Sequence, residues 1–339
     1  MRFFIMQKRH VLLLLLTFAL LLTPLAACGN NTPAAPATDT GGPLDIGIGV
    51  LNGNTGIAAA WLMEQAELGL TFDNYTFERG TAPDQLTAAL LSNQVQIAAL
   101  PTNVAATLYN RSEGMIQMAA ISAYGVLHIL ENGEEINSIA DLAGQTIHTT
   151  GQAANPEFIL NYILEQNGLT PGVDVTIEFH QNEALAALMA AGEIAISMMP
   201  EPMVTSVLAQ NEDVRVALDM TTEWDAIDNG SSLVMSSLVV RTDFAEANPQ
   251  AVHRFLELFR QSIVETVSNP AEVAQLVEKF EIIPSAAIAE RAILGCNLTF
   301  IAGRDMAPVI TGYFQVLFDA NPESIGGAIP HENFFFIGS

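Results

Sequence analysis

The chain has 339 residues, half of them hydrophobic, and carries 37 acidic against 12 basic side chains, a formal charge of −25. So large a negative surplus excludes nucleic acid as a partner, because a phosphate backbone needs a basic face. It also argues against electrostatic docking on anionic lipid and favours a body kept soluble by self-repulsion.

The first element in chain order is an export leader. Arg2, Lys8 and Arg9 precede an apolar run, Val11 to Leu22, interrupted only by Thr17. A bilayer-spanning helix needs about 20 apolar residues, so this run reads as a signal peptide over residues 1–27. Its end, Leu25-Ala26-Ala27-Cys28, resembles the lipobox of bacterial lipoproteins. That resemblance implies cleavage before Cys28, lipidation of its sulfur and attachment of the mature chain outside the cytoplasmic membrane. Loss of the leader's three basic residues leaves a charge of −28. Residues 28–42, rich in Pro, Ala, Thr, Gly and Asn, then form a flexible tether. With Cys28 lipidated, Cys296 has no partner and no disulfide framework forms.

Beyond the tether, strands and helices alternate. Leu44–Leu51 alternates as a strand, and Asn52–Gly56 turns into a helix over Ile57–Leu68. Tyr75–Glu78, Val95–Leu100 and Ile116–Ile121 are further strands, with helices over Pro83–Ser92 and Val104–Asn110. The second half repeats the rhythm with strands at Thr146–Thr149, Val175–Phe179 and Ile194–Met198. Its helices cover Pro156–Gln166, Glu183–Ala191 and Pro202–Gln210. Such alternation predicts α/β layers with largely parallel strands. From Ala245 onward the pattern is helical, over Pro249–Val267, Pro270–Phe280, Pro284–Ala292 and Asp305–Ala320.

One internal echo sharpens the topology. LTAALLSNQVQIAALP (Leu86–Pro101) and LAALMAAGEIAISMMP (Leu185–Pro200) align without gaps at an offset of 99 residues. Both read as helix, polar turn and strand ending at proline. The echo predicts two similar lobes whose strand ends face each other across a cleft, the usual place for a ligand on an open α/β sheet.

Catalytic signatures are absent: the chain holds no H-E-x-x-H, C-x-x-C, G-x-S-x-G or G-x-x-x-x-G-K-[ST]. His128, His148 and His180 match no usual ligand spacing, so cleft-edge or surface histidines are expected, with no metal and no cofactor. Met198, Met199 and Met203 bracket one strand-end loop, as core or as an adaptable wall. What remains is a set of loops rich in uncharged hydrogen-bonding groups: Asn52–Gly56, Gly80-Thr81, Thr102-Asn103, Ser122–Gly125, Thr149–Asn155, Gln181-Asn182 and Glu201. Thr81, Thr102 and Asn155 also stand where helix N-caps would.

In LDIGIGVLNGNTG, NQVQIAALPTNVA, INSIADLAGQTIHTTG and GEIAISMMPEPMV the chain resembles the extracytoplasmic solute-binding proteins of ABC importers. Within them it is similar to the nitrate/sulfonate/taurine and thiamine-precursor group. The resemblance implies a two-lobe periplasmic-binding-protein-like α/β fold of type II. Two crossovers would join the lobes near Val126–Leu130 and Ser232–Val240. Residues 43–127 plus 235–339 would form the first lobe and 128–234 the second. It further implies a monomer that closes on a small-molecule ligand and docks on a permease and its ATPase. Carried onto this sequence, the ligand contacts fall on Asn54, Thr55, Thr81, Thr102, Asn103, Ser122 and Tyr124, with Gly151, Gln152, Asn182 and Glu201 opposite. Trp224 is a candidate stacking surface.

Helix N-termini suit an anion such as a sulfonate or nitrate, yet these loops carry no arginine or lysine. Arg79 and Arg241 are the nearest basic residues, and Glu201 would repel an anion. The residues therefore favour a neutral or weakly charged heterocycle of the vitamin-precursor kind. A sulfonate- or nitrate-type binder, or a lipid-tethered sensor, is the alternative. Eukaryotic thiamine-pyrimidine synthases also resemble this group, but their cysteine-rich motif is missing, so no enzyme is expected.

Overall fold

The computed structural model describes residues 41–338; the expected leader, Cys28 and the tether up to residue 40 lie outside the described residues. In β1 (Asp45–Leu51), Ile46, Ile48 and Val50 fill one face of a sheet, and Gly47 and Gly49 alternate with them on the other. The bare side admits close packing: a Cβ on Gly49 would stand 3.0 Å from Leu86 of α2 (Pro83–Leu91). On the apolar face lie α1 (Asn54–Glu67) and α9 (Pro249–Ser268), whose Phe255 and Phe259 are wholly buried.

Two sheets result. The first also contains β2 (Asn74–Gly80), β3 (Ile97–Pro101), β4 (Ile116–Tyr124), β10 (Val234–Arg241) and β11 (Leu298–Ala302), in the order β11-β4-β10-β3-β1-β2. The second contains β5 (Leu127–Asn132), β6 (Thr146–Thr149), β7 (Thr176–Phe179), β8 (Ile196–Pro200) and β9 (Val214–Asp219), in the order β7-β6-β8-β5-β9. In the first sheet β2, β1 and β3 run parallel and β3 then meets the antiparallel β10; in the second β7, β6 and β8 run parallel and β8 then meets the antiparallel β5. The sheets are therefore mixed rather than largely parallel. Each antiparallel strand is the first to follow a passage from one sheet to the other.

The internal echo is structural. The helix–strand pair α2/β3 recurs as α5 (Asn182–Ala190) and β8, with all four boundaries displaced by 99 residues. The turn residues Asn93 and Gly192, also 99 apart, both adopt positive φ, 60° and 71°. A left-handed residue is what lets the chain reverse sharply from helix into strand.

Several boundaries differ from the sequence reading. Helix α1 begins at Asn54 and α3 (Thr102–Arg111) at Thr102, so groups expected in loops are first-turn residues. Strand β4 runs on to Tyr124, taking in Ser122. The C-terminal part is not wholly helical, because β11 adds an edge strand to β4. The other helices are α4 (Asn155–Gln166), α6 (Met203–Leu208), α7 (Met220–Ala226), α8 (Thr242–Ala247), α10 (Pro270–Lys279), α11 (Ala286–Gly295) and α12 (Met306–Ala320). One apolar cluster runs continuously from Leu100 and Ala105 through Leu127 and Ile159 to Tyr313, binding both sheets to the tail. Met198 and Met199 are both core residues. Among the described residues no helix is long and apolar enough to cross a membrane.

Candidate functional site

The strand ends of the two sheets meet. The backbone N–H of Glu201, after β8, donates to the carbonyl of Val126 between β4 and β5 (2.9 Å). A Cβ on Gly53, after β1, would lie 3.9 Å from Pro202. Much of the molecule's buried uncharged polar surface gathers at these ends: Thr55, Thr102, Ser122, Thr149, Asn155 and Ser236. Buried polar groups are costly unless partnered, so such a concentration between two sheets calls for a reason.

Thr102 ties three parts together. Its wholly buried hydroxyl donates to the Val234 carbonyl (2.6 Å) and accepts from Asn155 Nδ2 (3.3 Å). Asn155 Oδ1 in turn accepts from the Tyr313 hydroxyl (3.0 Å). This relay crosses from the first sheet to the second and on to the tail helix. Neither Thr102, Asn155 nor Thr81 caps its helix: the N-caps are Pro101, Ala154 and Ala82, without side-chain cap bonds. Asn155, read as a cap, is thus a junction residue. Tyr313, inside an apolar helix, carried no signal in the sequence.

Glu201 is the other centre, and only 8% exposed. Its carboxylate accepts from the Thr205 N–H (3.1 Å) and hydroxyl (2.9 Å). A Cβ on Gly295 of α11 would stand 2.8 Å from its Oε1. Burial raises its pKa above the ordinary carboxylate range; the two Thr205 hydrogen bonds and the charge of His128 pull the other way. The same burial, with the Glu201 charge, pushes the Cys296 thiol up. His128 Nδ1 and Ser122 Oγ are buried without a hydrogen-bond partner. His128, expected at a cleft edge or on the surface, has its Nδ1 buried instead.

The other expected contacts are distributed unevenly. Asn54 Nδ2 donates to the Ser236 hydroxyl on β10 (3.1 Å). Thr55 closes the β1–α1 turn on itself, exchanging hydrogen bonds with the N–H and carbonyl of Leu51. Asn103 turns toward the 322–325 turn, where Nδ2 donates to the Ser324 carbonyl (3.4 Å) and Oδ1 has no partner. Tyr124 lines a cavity of about 480 Å³ with Thr221, Asp225 and Asn297. Thr81, Gln152 and Asn182 are exposed, and Gly151 sits between them in sequence at φ 71°. Trp224 offers no open ring face: it is wholly buried between Tyr162 and Tyr313, with centroids at 5.0 and 5.5 Å. Its indole N–H is engaged by Ser231.

Neither nearby arginine serves these loops. Arg79 donates to the Phe280 carbonyl. Arg241 is held by the Leu90 carbonyl and Asp243, at the end of β10 remote from Val234.

At the margin of the second sheet, His148 and His180 lie ring to ring, with Nδ1 and Nε2 2.9 Å apart. Glu178 stands 3.4 Å from the same Nδ1. Burial lowers the His148 pKa; Glu178 opposes the shift and His180 reinforces it.

A family model described as NMT1/THI5 like matches residues 74–273. Among solved structures, an ABC transporter from Parabacteroides distasonis is 21% identical with a TM-score of 0.72, covering 86% of this chain and 98% of that one. The periplasmic aliphatic sulphonate binding protein SsuA from Escherichia coli is 17% identical with a TM-score of 0.71, over 88% and 93%. The periplasmic nitrate-binding protein NrtA from Synechocystis PCC 6803 is 13% identical with a TM-score of 0.55, over 77% and 74%. The likeness is one of fold, a mixed α/β architecture with two sheets. No curated protein matches the chain by sequence.

Proposed function

The chain belongs to the NMT1/THI5-like family, and on that premise we propose that it is the extracytoplasmic solute-binding component of an ABC importer. The three solved structures described above are named for transport or binding. Residues 43–127 with 235–339 act as one lobe and 128–234 as the other. They close on a small organic molecule and deliver it, as a monomer, to a permease and its ATPase. A lipid on Cys28 tethers the body outside the membrane.

The observation that carries the ligand class is Glu201, a buried carboxyl with a raised pKa where loops of both sheets meet. A group so placed welcomes an N–H donor or a weakly cationic ring and disfavours an anion. The engagement of Arg79 and Arg241 elsewhere supports the same choice. A neutral or weakly charged heterocycle of the vitamin-precursor kind is therefore the preferred cargo. The sulfonate and nitrate named for the similar structures are the competing class.

A thermal-shift screen of the purified protein tests this against pyrimidines, flavins, purines, amino acids, aromatic acids, sulfonates and nitrate. A ligand at about 100 times its dissociation constant stabilises the fold by about 2.7 kcal/mol, several degrees in Tm. Hits confined to nitrogen heterocycles are expected. Hits confined to sulfonates or nitrate overturn the ligand class. No hit, together with unchanged compactness in X-ray scattering on adding cell extract, overturns the binding role.

A further inference from the structure

The pairing of β6 with β7 assembles a second chemical site. His148 on β6 lies directly beside Glu178 on β7 in parallel register, and His180 follows Glu178 by two positions. Alternation in a strand then puts all three side chains on one face. One nitrogen of each histidine and one carboxylate oxygen lie within 4.8 Å of one another. We propose that His148 Nδ1, His180 Nε2 and the Glu178 carboxylate form a binding site for one zinc ion, with a fourth position open to water.

The donor set is chemically apt. Two imidazoles and one carboxylate with an open position is a known zinc arrangement, and neutral imidazole suits zinc far better than magnesium or calcium. Zinc–nitrogen bonds of about 2.0–2.1 Å place tetrahedral donors roughly 3.3 Å apart. The two ring nitrogens at 2.9 Å and the His148–Glu178 pair at 3.4 Å bracket that separation. The histidines are held, His148 being partly buried and His180 placed by its backbone N–H, which donates to the Thr149 carbonyl (2.8 Å). Glu178, with 55% of its side chain exposed, is the donor free to swing inward. The three donors come from elements on either side of a strand pairing at the sheet margin, so the ion clamps β7 to β6. Linear spacing hid the site: His180 is two positions from Glu178, but His148 is 32 positions from His180. This site is independent of the proposed cargo.

The test is chelator competition with zinc chloride on the metal-free purified protein, and on its His148→Ala, His180→Ala and Glu178→Gln variants. One zinc per chain with micromolar or tighter affinity is expected, with a rise in Tm. Affinity should fall at least tenfold in each variant, since even outer-shell partners are worth 10–100-fold. Cobalt(II) should show the intense visible bands of four- or five-coordination, lost in both histidine variants. Glu178→Gln, at an exposed position, keeps the test interpretable should a histidine variant fold poorly. Absence of stoichiometric zinc at micromolar concentration, its survival in all three variants, or its displacement by millimolar magnesium overturns the proposal.

Discussion

At the scale of residues, Glu201 and Thr102 do opposite things with burial. Folding raises the Glu201 pKa, so the folded chain holds its proton more tightly than the unfolded chain does. That contribution to stability is complete below the ordinary carboxylate range and is lost as pH rises through the raised folded value. Glu201→Gln lacks this dependence. Its Tm should therefore gain on that of the unaltered protein as pH rises above about 4, and hold level once pH has passed the raised folded value. It should meanwhile lose affinity for an N–H-donating ligand. A Tm offset that stays constant across the pH series would show that the carboxyl is not strained by burial. Thr102 instead satisfies its neighbours: both the Val234 carbonyl and Asn155 depend on its hydroxyl. Thr102→Val keeps the shape and strands both, and should cost about 1–3 kcal/mol in denaturant unfolding. Thr81→Ala, at an exposed position, should change stability by less than about 0.5 kcal/mol, so any effect of it on binding is direct.

At the scale of elements, the passage between sheets is governed by Gly125. A Cβ there would stand 2.1 Å from Thr221 Oγ1 and 2.9 Å from Leu233. Gly125→Ala should destabilise by about 1–3 kcal/mol through overpacking, and Thr221→Ala in the same chain should recover part of it. Recovery of none would place the strain in the backbone and not in the Thr221 contact. The elements themselves were largely legible in the sequence, because the α2/β3 and α5/β8 units are locally consistent in pattern and turn. What escaped was set by tertiary pairing. LTFIA reads as nothing special until β4 offers it an edge, and β5 hid in a segment assigned to a crossover. Strand-end groups such as Asn54 and Thr102 are legible in the sequence as polar residues following strands. Their role as first-turn residues, bonded across to β10, depends on a neighbour that the local sequence does not contain.

At the scale of the whole molecule, the tail helix α12 links to the helices of the second sheet. Far from packing on the first sheet alone, α12 sends Tyr313 to Asn155 of α4 and packs its ring, tilted by 50°, against Trp224. In the lobe closure proposed above, the Thr102–Asn155–Tyr313 relay would favour the joined arrangement before any ligand arrives. A ligand gripped by both lobes adds to that bias in proportion to its preference for the joined state. Tyr313→Phe keeps the ring in the aromatic stack and removes one hydrogen bond from the relay. A bond worth about 0.5–1.5 kcal/mol shifts the open–joined equilibrium roughly two- to twelvefold. The empty variant should scatter X-rays as a more extended particle, and ligand should restore the compact form at a correspondingly higher concentration. If its radius of gyration stays unchanged while its Tm falls, the relay serves packing only. Closure would then have to rest on the ligand and on the meeting of Glu201 with α11.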